Sequence, residues 1–182
     1  MLNARSRSLL QLGAIAAVVL LSMGCSTMKH DTLSTVPAVD IPRFMGPWYV
    51  IAHIPTFIEK QAYDGIESYE LRPDGAIATT FTFHKGSHDG PLKTYKPVGF
   101  VRDPVTHATW GMQFVWPFKS EYLIAYLDEG YTQTIIARTA RDYVWIMART
   151  PVISQLDYDQ DVARIAAMGY DTQKLRKVPQ QP

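Results

Sequence analysis

Eight short β-forming runs follow one another between residues 46 and 149, and no helix-length apolar pattern separates any two of them. They cover residues 48–54, 67–71, 77–84, 94–101, 108–116, 121–127, 131–138 and 143–149. Turn residues close them, most clearly Arg72-Pro73-Asp74-Gly75 after the second run and Asp128-Glu129-Gly130 after the sixth. Consecutive strands with short links pair antiparallel, and such a sheet keeps two costly edges unless it closes on itself. The pattern therefore predicts an all-β fold, an eight-stranded antiparallel up-and-down barrel. A barrel of that strand number is just wide enough to hold a small ligand.

One helix is expected, after the last strand. Thr150-Pro151 stops the strand, Ser154 supplies a cap, and Gly169 ends the segment. Leu156, Asp159, Val162, Ala163, Ile165 and Ala166 form a mostly apolar stripe at helical spacing, expected to dock on the outside of the barrel. A short extended segment is expected near residues 175–178.

Period-two reading of the strands gives candidate cavity residues. Trp110, Met112, Phe114 and Trp116 share one face; so do Tyr122, Ile124 and Tyr126, and so do Tyr143, Trp145 and Met147. Any one of these could simply fill a packed core. Together they make an aromatic, methionine-containing wall suited to a hydrophobic ligand. Which parity faces inward on each strand stays open, because a docked helix also buries an outer patch.

The first 24 residues read as a secretory signal: Arg5 and Arg7, then an apolar stretch from Leu9 to Leu21, too short for a permanent membrane span. Leu21-Ser22-Met23-Gly24-Cys25 resembles a bacterial lipobox, which would make Cys25 the lipidated mature N-terminus. Cleavage there leaves 158 residues carrying 16 basic and 17 acidic side chains. Residues 25–40 are read as the lipidated terminus and a polar tether, and residues 41–182 as the barrel domain. Ser26 after the cysteine favours, by the same resemblance, the outer membrane, with the protein facing the periplasm.

Near-neutral charge argues against a nucleic-acid partner. One cysteine excludes an intramolecular disulfide framework. No Gly-x-Ser-x-Gly elbow or His-Glu-x-x-His motif occurs. His84 and His88 are four apart, but in a Gly-flanked loop rather than on a helix, so no metal site is assigned. His53 and His107 have no evident carboxylate partner in sequence, and Glu59 and Glu67 lie far from any patterned base. No catalytic residue and no cofactor is expected.

Specific motifs complete the reading. Gly46-Pro47-Trp48-Tyr49 opens the first strand; Asp128-Glu129-Gly130-Tyr131 lies between the sixth and seventh; Arg149 ends the last. In this order they resemble the three lipocalin signatures, with Leu127 where the second usually has Thr. Residues 141–151 look closely like the bacterial lipocalins, an outer-membrane lipoprotein group similar to apolipoprotein D. The resemblance spans roughly residues 40–178. It implies that Gly46, Trp48, Asp128, Tyr131 and Arg149 are structural, with Arg149 laid on the Trp48 indole at a closed barrel end. It also implies binding, storage or transport of a fatty acid or lysophospholipid in the cell envelope, a membrane attachment through the N-terminal lipid, and a possible homodimer. Arg72, Lys85, Lys93, Lys96, Arg102 and Lys119 could meet a phosphate, but none is assigned. A lipid-processing barrel enzyme and a packed, cavity-free envelope protein are the alternatives.

Overall fold

A computed structural model describes residues 31–181. The signal segment 1–24 and Cys25 lie outside the described residues. Strands run β1 (Gly46–Ile54), β2 (Ala62–Leu71), β3 (Ile77–Lys85), β4 (Leu92–Tyr95), β5 (Val98–Val101), β6 (Thr109–Val115), β7 (Phe118–Leu127), β8 (Gln133–Ala137) and β9 (Val144–Ala148). Consecutive strands pair antiparallel except β4 with β5, and β9 pairs back onto β1, which closes the sheet. β4 and β5 are one barrel strand in two pieces, both paired to β3 and interrupted at Lys96-Pro97. Pro97 has no N–H to give the ladder, while its carbonyl still accepts from the Thr79 N–H at 3.1 Å. The sequence reading of residues 94–101 as one unbroken strand is corrected accordingly. The result is the expected eight-stranded barrel.

Register shifts interrupt four of the strand pairs, and two of them decide where His53 and Tyr126 face. On β1, Val50 pairs with Met147 but Ala52 with Ile146, so Ile51 is an extra residue. Trp48, Val50 and His53 consequently point into the barrel, while Ala52 and Ile54 join the outer layer. On β7, Ile124 pairs with Ile136 but Tyr126 with Ile135, so Ala125 is extra. A one-residue slip moves every following side chain to the other face.

The outer layer covers β1, β7, β8 and β9 with the helix α2 (Gln155–Ala167), capped by Ser154, whose hydroxyl accepts from the Asp157 N–H. Helix α2 presents Asp161 and Ile165, both buried, with Tyr158 and Val162 half-buried beside them. Burying the Ile165 side chain is worth about 1.5–3 kcal/mol. The predicted stripe is therefore partly wrong: Leu156, Asp159, Ala163 and Ala166 are exposed. Past Gly169 (φ +86°), Tyr170 is buried; its hydroxyl accepts from the Arg138 N–H and shares its one proton between the carbonyls of Arg138 and Tyr143. β10 (Arg176–Lys177) then adds to the outer edge of β1.

The tether expected over residues 25–40 is docked where it is described. Leu33 and Val39 are buried, and the Val36 and Val39 N–H groups donate to the carbonyls of Ile124 and Thr106. A short helix α1 (Ile41–Phe44), capped by Asp40, then crosses one pole of the barrel.

Candidate functional site

The two barrel poles differ. Loops 72–76, 102–108 and 128–132 surround the pole that α1 crosses; loops 55–61, 86–91, 116–117 and 138–143 surround the other. At the α1 pole Phe44 drops its ring among Trp48, Tyr69 and Trp110, with centroids 5.0, 5.5 and 5.4 Å away. Phe44, Trp48 and Trp110 have no solvent exposure. Trp48 Nε1 donates to the Phe44 carbonyl at 2.9 Å. Arg149 sits with its guanidinium carbon 3.8 Å from the Trp48 ring and donates to the carbonyls of Arg43, Phe44, Met45, Pro47 and Tyr131. Gly46, at φ +92°, lies so near that an added Cβ would stand 3.4 Å from Arg149 Nη1. Asp128 folds the 128–132 turn by accepting from the N–H groups of Gly130, Thr132 and Gln133. The Tyr131 hydroxyl accepts from the Asp40 N–H, and the Arg43 guanidinium covers its ring at 4.1 Å. Phe44, Trp48, Trp110 and Arg149 stopper the barrel, and Gly46, Asp128 and Tyr131 hold the surrounding chain in place.

Above the stopper lies a cavity of about 470 Å³ that opens toward the opposite pole. Glu67, Phe81, Met112 and Tyr122 line its inner part; Tyr95, Phe114, Tyr143 and Trp145 line its walls, and loop residues Thr56, Phe57 and Glu59 stand at its mouth. A second space of about 450 Å³ adjoins it, sharing Phe57, Ile58 and Tyr95 and edged by Lys60, Lys85 and Lys93. The volume lies within the usual range for small-molecule sites. The barrel is thus not filled by its own side chains.

The candidate cavity residues fall into three groups. Met112, Phe114, Tyr122, Tyr143 and Trp145 line the cavity. Trp110, Ile124 and Met147 face inward but sit in the packed core, Trp110 as part of the stopper. Trp116 and Tyr126 lie outside it, which corrects their assignment. Trp116 is 82% exposed at the tip of the β6–β7 hairpin, beyond the end of the barrel wall. The Ala125 bulge turns Tyr126 outward, where the Arg164 guanidinium of α2 lies 4.0 Å above its ring.

Two acidic residues set aside in the sequence reading prove central. Glu59 reaches back from the 55–61 loop into the barrel. It accepts from Thr56 Oγ1 at 2.7 Å and Trp145 Nε1 at 2.9 Å, and its Oε2 lies 3.0 Å from His53 Nδ1. His53 thus has the carboxylate partner that linear order hid; the Ile51 bulge and the loop's return bring the two together. Glu67 stands on β2 between its cross-strand partners Trp48 and Phe81. Burial pushes its carboxyl up to about 8, against a favourable contact from the Tyr69 hydroxyl and with a small push from Glu59. Beside it the hydroxyls of Tyr69 and Tyr122 share a hydrogen bond, and burial drives both phenols well above their ordinary range.

The rim is apolar and basic together. Phe57, Val115, Trp116 and Phe118 are strongly exposed there. Lys60, Lys85, Lys93 and Lys96 border the two spaces. Of the remaining candidate cations, Arg72 pairs with Asp74 near the stoppered pole, and Lys119 covers the Phe100 ring at 3.5 Å. His84 and His88 do not converge: His84 Nδ1 contacts the Gly90 carbonyl and His88 Nδ1 contacts Asp64. Among the described residues no cluster of His, Cys, Asp and Glu could hold a metal ion.

Comparison with known proteins agrees with this architecture. The family model described as a lipocalin-like domain matches residues 39–180. The outer membrane lipoprotein Blc of Citrobacter freundii is 30% identical over 167 residues, covering 92% of this chain and 94% of that protein. Temperature-induced lipocalin-1 of Arabidopsis thaliana is 29% identical over 161 residues, covering 84% of this chain and 85% of that protein. Among solved structures, the cockroach allergen Per a 4 superimposes with a TM-score of 0.62 at 18% identity, covering 84% of this chain and 96% of that one.

Proposed function

The chain belongs to the lipocalin family, and from that premise we propose that it is a lipid-anchored carrier or store for a fatty acid or lysophospholipid in the bacterial outer membrane, facing the periplasm. The observation that carries this reading is the 470 Å³ cavity, stoppered at one pole and lined chiefly by Phe81, Met112, Tyr122 and Trp145. An apolar chain gains about 25 cal/mol per Å² on leaving water for such a wall. Lys85, Lys93 and Lys96 stand where an anionic head would remain. Exposed Phe57, Trp116 and Phe118 beside these lysines suit contact with an anionic bilayer, from which such a ligand would come. The relatives named outer membrane lipoprotein support an envelope address, and Cys25 supplies the position for an acyl anchor.

Native mass spectrometry of protein purified without detergent tests the proposal. The expected spectrum contains a population heavier by one amphiphile, which organic solvent releases. A spectrum of bare protein, unchanged after incubation with fatty acid or lysophospholipid, contradicts it.

A further inference from the structure

Three carboxyl groups line the cavity, and they are not equivalent. Glu59 is held by Thr56, Trp145 and His53. Glu121 accepts from the Thr139 N–H at 2.6 Å and the Thr139 hydroxyl at 3.0 Å. Glu67 has the Tyr69 hydroxyl beside it, and among the described residues it takes part in no ion pair. It also lies deepest: its β1 partner is Trp48, the core of the stopper. With Tyr122 it forms a polar floor beneath the apolar side chains of Phe81 and Met112.

A floor of this kind has a consequence for what can fill the chamber. Beside Trp48 and Phe81 the Glu67 carboxyl is pushed up to about 8 by burial, which favours its protonated form, and a protonated carboxyl offers both an O–H donor and a carbonyl acceptor. A ligand ending in a methyl group would seal the group from water with the Tyr69 hydroxyl as its one partner, leaving the carboxyl O–H unpaired. A ligand ending in a hydroxyl meets both donor and acceptor. Sites built to hydrogen-bond a hydroxyl discriminate against analogues lacking it far more strongly than apolar pockets discriminate by size. The lysines stand at the other end of the chamber, so the ligand's charged head and its second polar group must be separated by the apolar chain.

Resting on the carrier reading above, we infer that Glu67 and Tyr122 form a specificity subsite for the far end of the ligand, selecting amphiphiles whose chain carries a terminal hydroxyl. Such ligands are ω-hydroxylated fatty acids and their derivatives, with the head at the lysine rim and the distal hydroxyl on the Glu67 carboxyl.

The test measures displacement of a fluorescent fatty acid from the full barrel. The competitors are dodecanoic and hexadecanoic acids and their ω-hydroxy counterparts, with the ω-amino acids as a third set. Wild-type protein is expected to bind a hydroxy acid at least as tightly as the plain acid of the same length. Glu67→Leu should shift that ratio by about tenfold or more toward the plain acid, and Glu67→Gln, which keeps a neutral donor and acceptor, should retain most of the preference. Tyr122→Phe, which leaves the ring in place, should shift the ratio in the same direction as Glu67→Leu and serves if that variant fails to fold. The inference is overturned if the plain acids win tenfold in wild type and neither substitution changes the ratio. A preference for the ω-amino acids also overturns it, since the floor would then act as an anion. If no competitor of any set displaces the probe, the carrier reading fails and takes the subsite with it; binding of plain acids alone leaves the carrier reading standing without the subsite.

Discussion

The Arg149 guanidinium lies 3.8 Å above the Trp48 indole while its N–H groups donate to five carbonyls of the entering chain and the 128–132 turn. One planar cation thus joins the last strand, the first strand and α1, and it closes the pole with a contact worth about 0.5–2 kcal/mol in addition to its hydrogen bonds. Trp48→Ala empties a site with no solvent exposure and should cost about 3–5 kcal/mol, a fall in melting temperature of roughly 10 °C. Arg149→Lys should not restore wild-type stability, because a single ammonium cannot reach five acceptors and stack. Thermal melts followed by circular dichroism check both; unchanged melting in both variants would contradict the stopper.

Glu67 gives the protein a distinctive pH profile. Its carboxyl titrates at about 8 when folded, against an ordinary value of 4.5. Between those values the folded chain keeps a proton that the unfolded chain releases. Stability from this group is therefore complete below about pH 4.5 and is lost as pH rises through about 8. Glu67→Gln cannot ionise. Its melting temperature relative to wild type should rise steadily from about pH 4 to about pH 9, with the gain largest at the alkaline end. A difference that is flat in pH would place the Glu67 carboxyl in water.

Glu59 pins the 55–61 loop over the cavity mouth. Removing it leaves Trp145 Nε1 and the buried His53 ring without their partner. Glu59→Ala should cost about 1–3 kcal/mol. It should also speed amide exchange at residues 59 and 62, whose N–H groups donate to the carbonyls of Thr56 and Glu59. Exchange at wild-type rates would mean that the loop is held by other contacts.

Strand count, barrel closure, helix position and the stopper pair were all legible in the sequence, because each rests on local signals: turn residues, period-two alternation, a Ser cap and short motifs. What was illegible depended on single-residue geometry. Nothing in Ile124-Ala125-Tyr126 announces that Ala125 is extra, yet that insertion turns Tyr126 from the cavity to the helix. The helix face was misjudged because Leu156 and Ala166 outscored Asp161 in apolarity; Asp161 is buried all the same, paired with Arg164 at 3.0 Å and raised to about 6 by that burial. Phe44, the residue that completes the stopper, sits in a four-residue helix too short to give a periodic signal. The contact of His53 with Glu59 needs a loop to fold back, which linear spacing does not record.

The proposed anchor is tested in cells. Cys25→Ala should move the protein from the membrane fraction to the soluble periplasmic fraction, because a single polypeptide terminus without acyl chains has too little apolar surface to hold a bilayer. Retention in the membrane fraction would contradict lipidation at Cys25.

The most direct measurement is equilibrium titration of the folded barrel with a fluorescent long-chain fatty acid, with unlabelled fatty acid as competitor. Saturable binding of one molecule per barrel is expected, with a dissociation constant of about micromolar or tighter and full displacement by the competitor. An intact barrel, verified by circular dichroism, that shows no saturable binding with fatty acid or lysophospholipid probes would contradict the carrier reading.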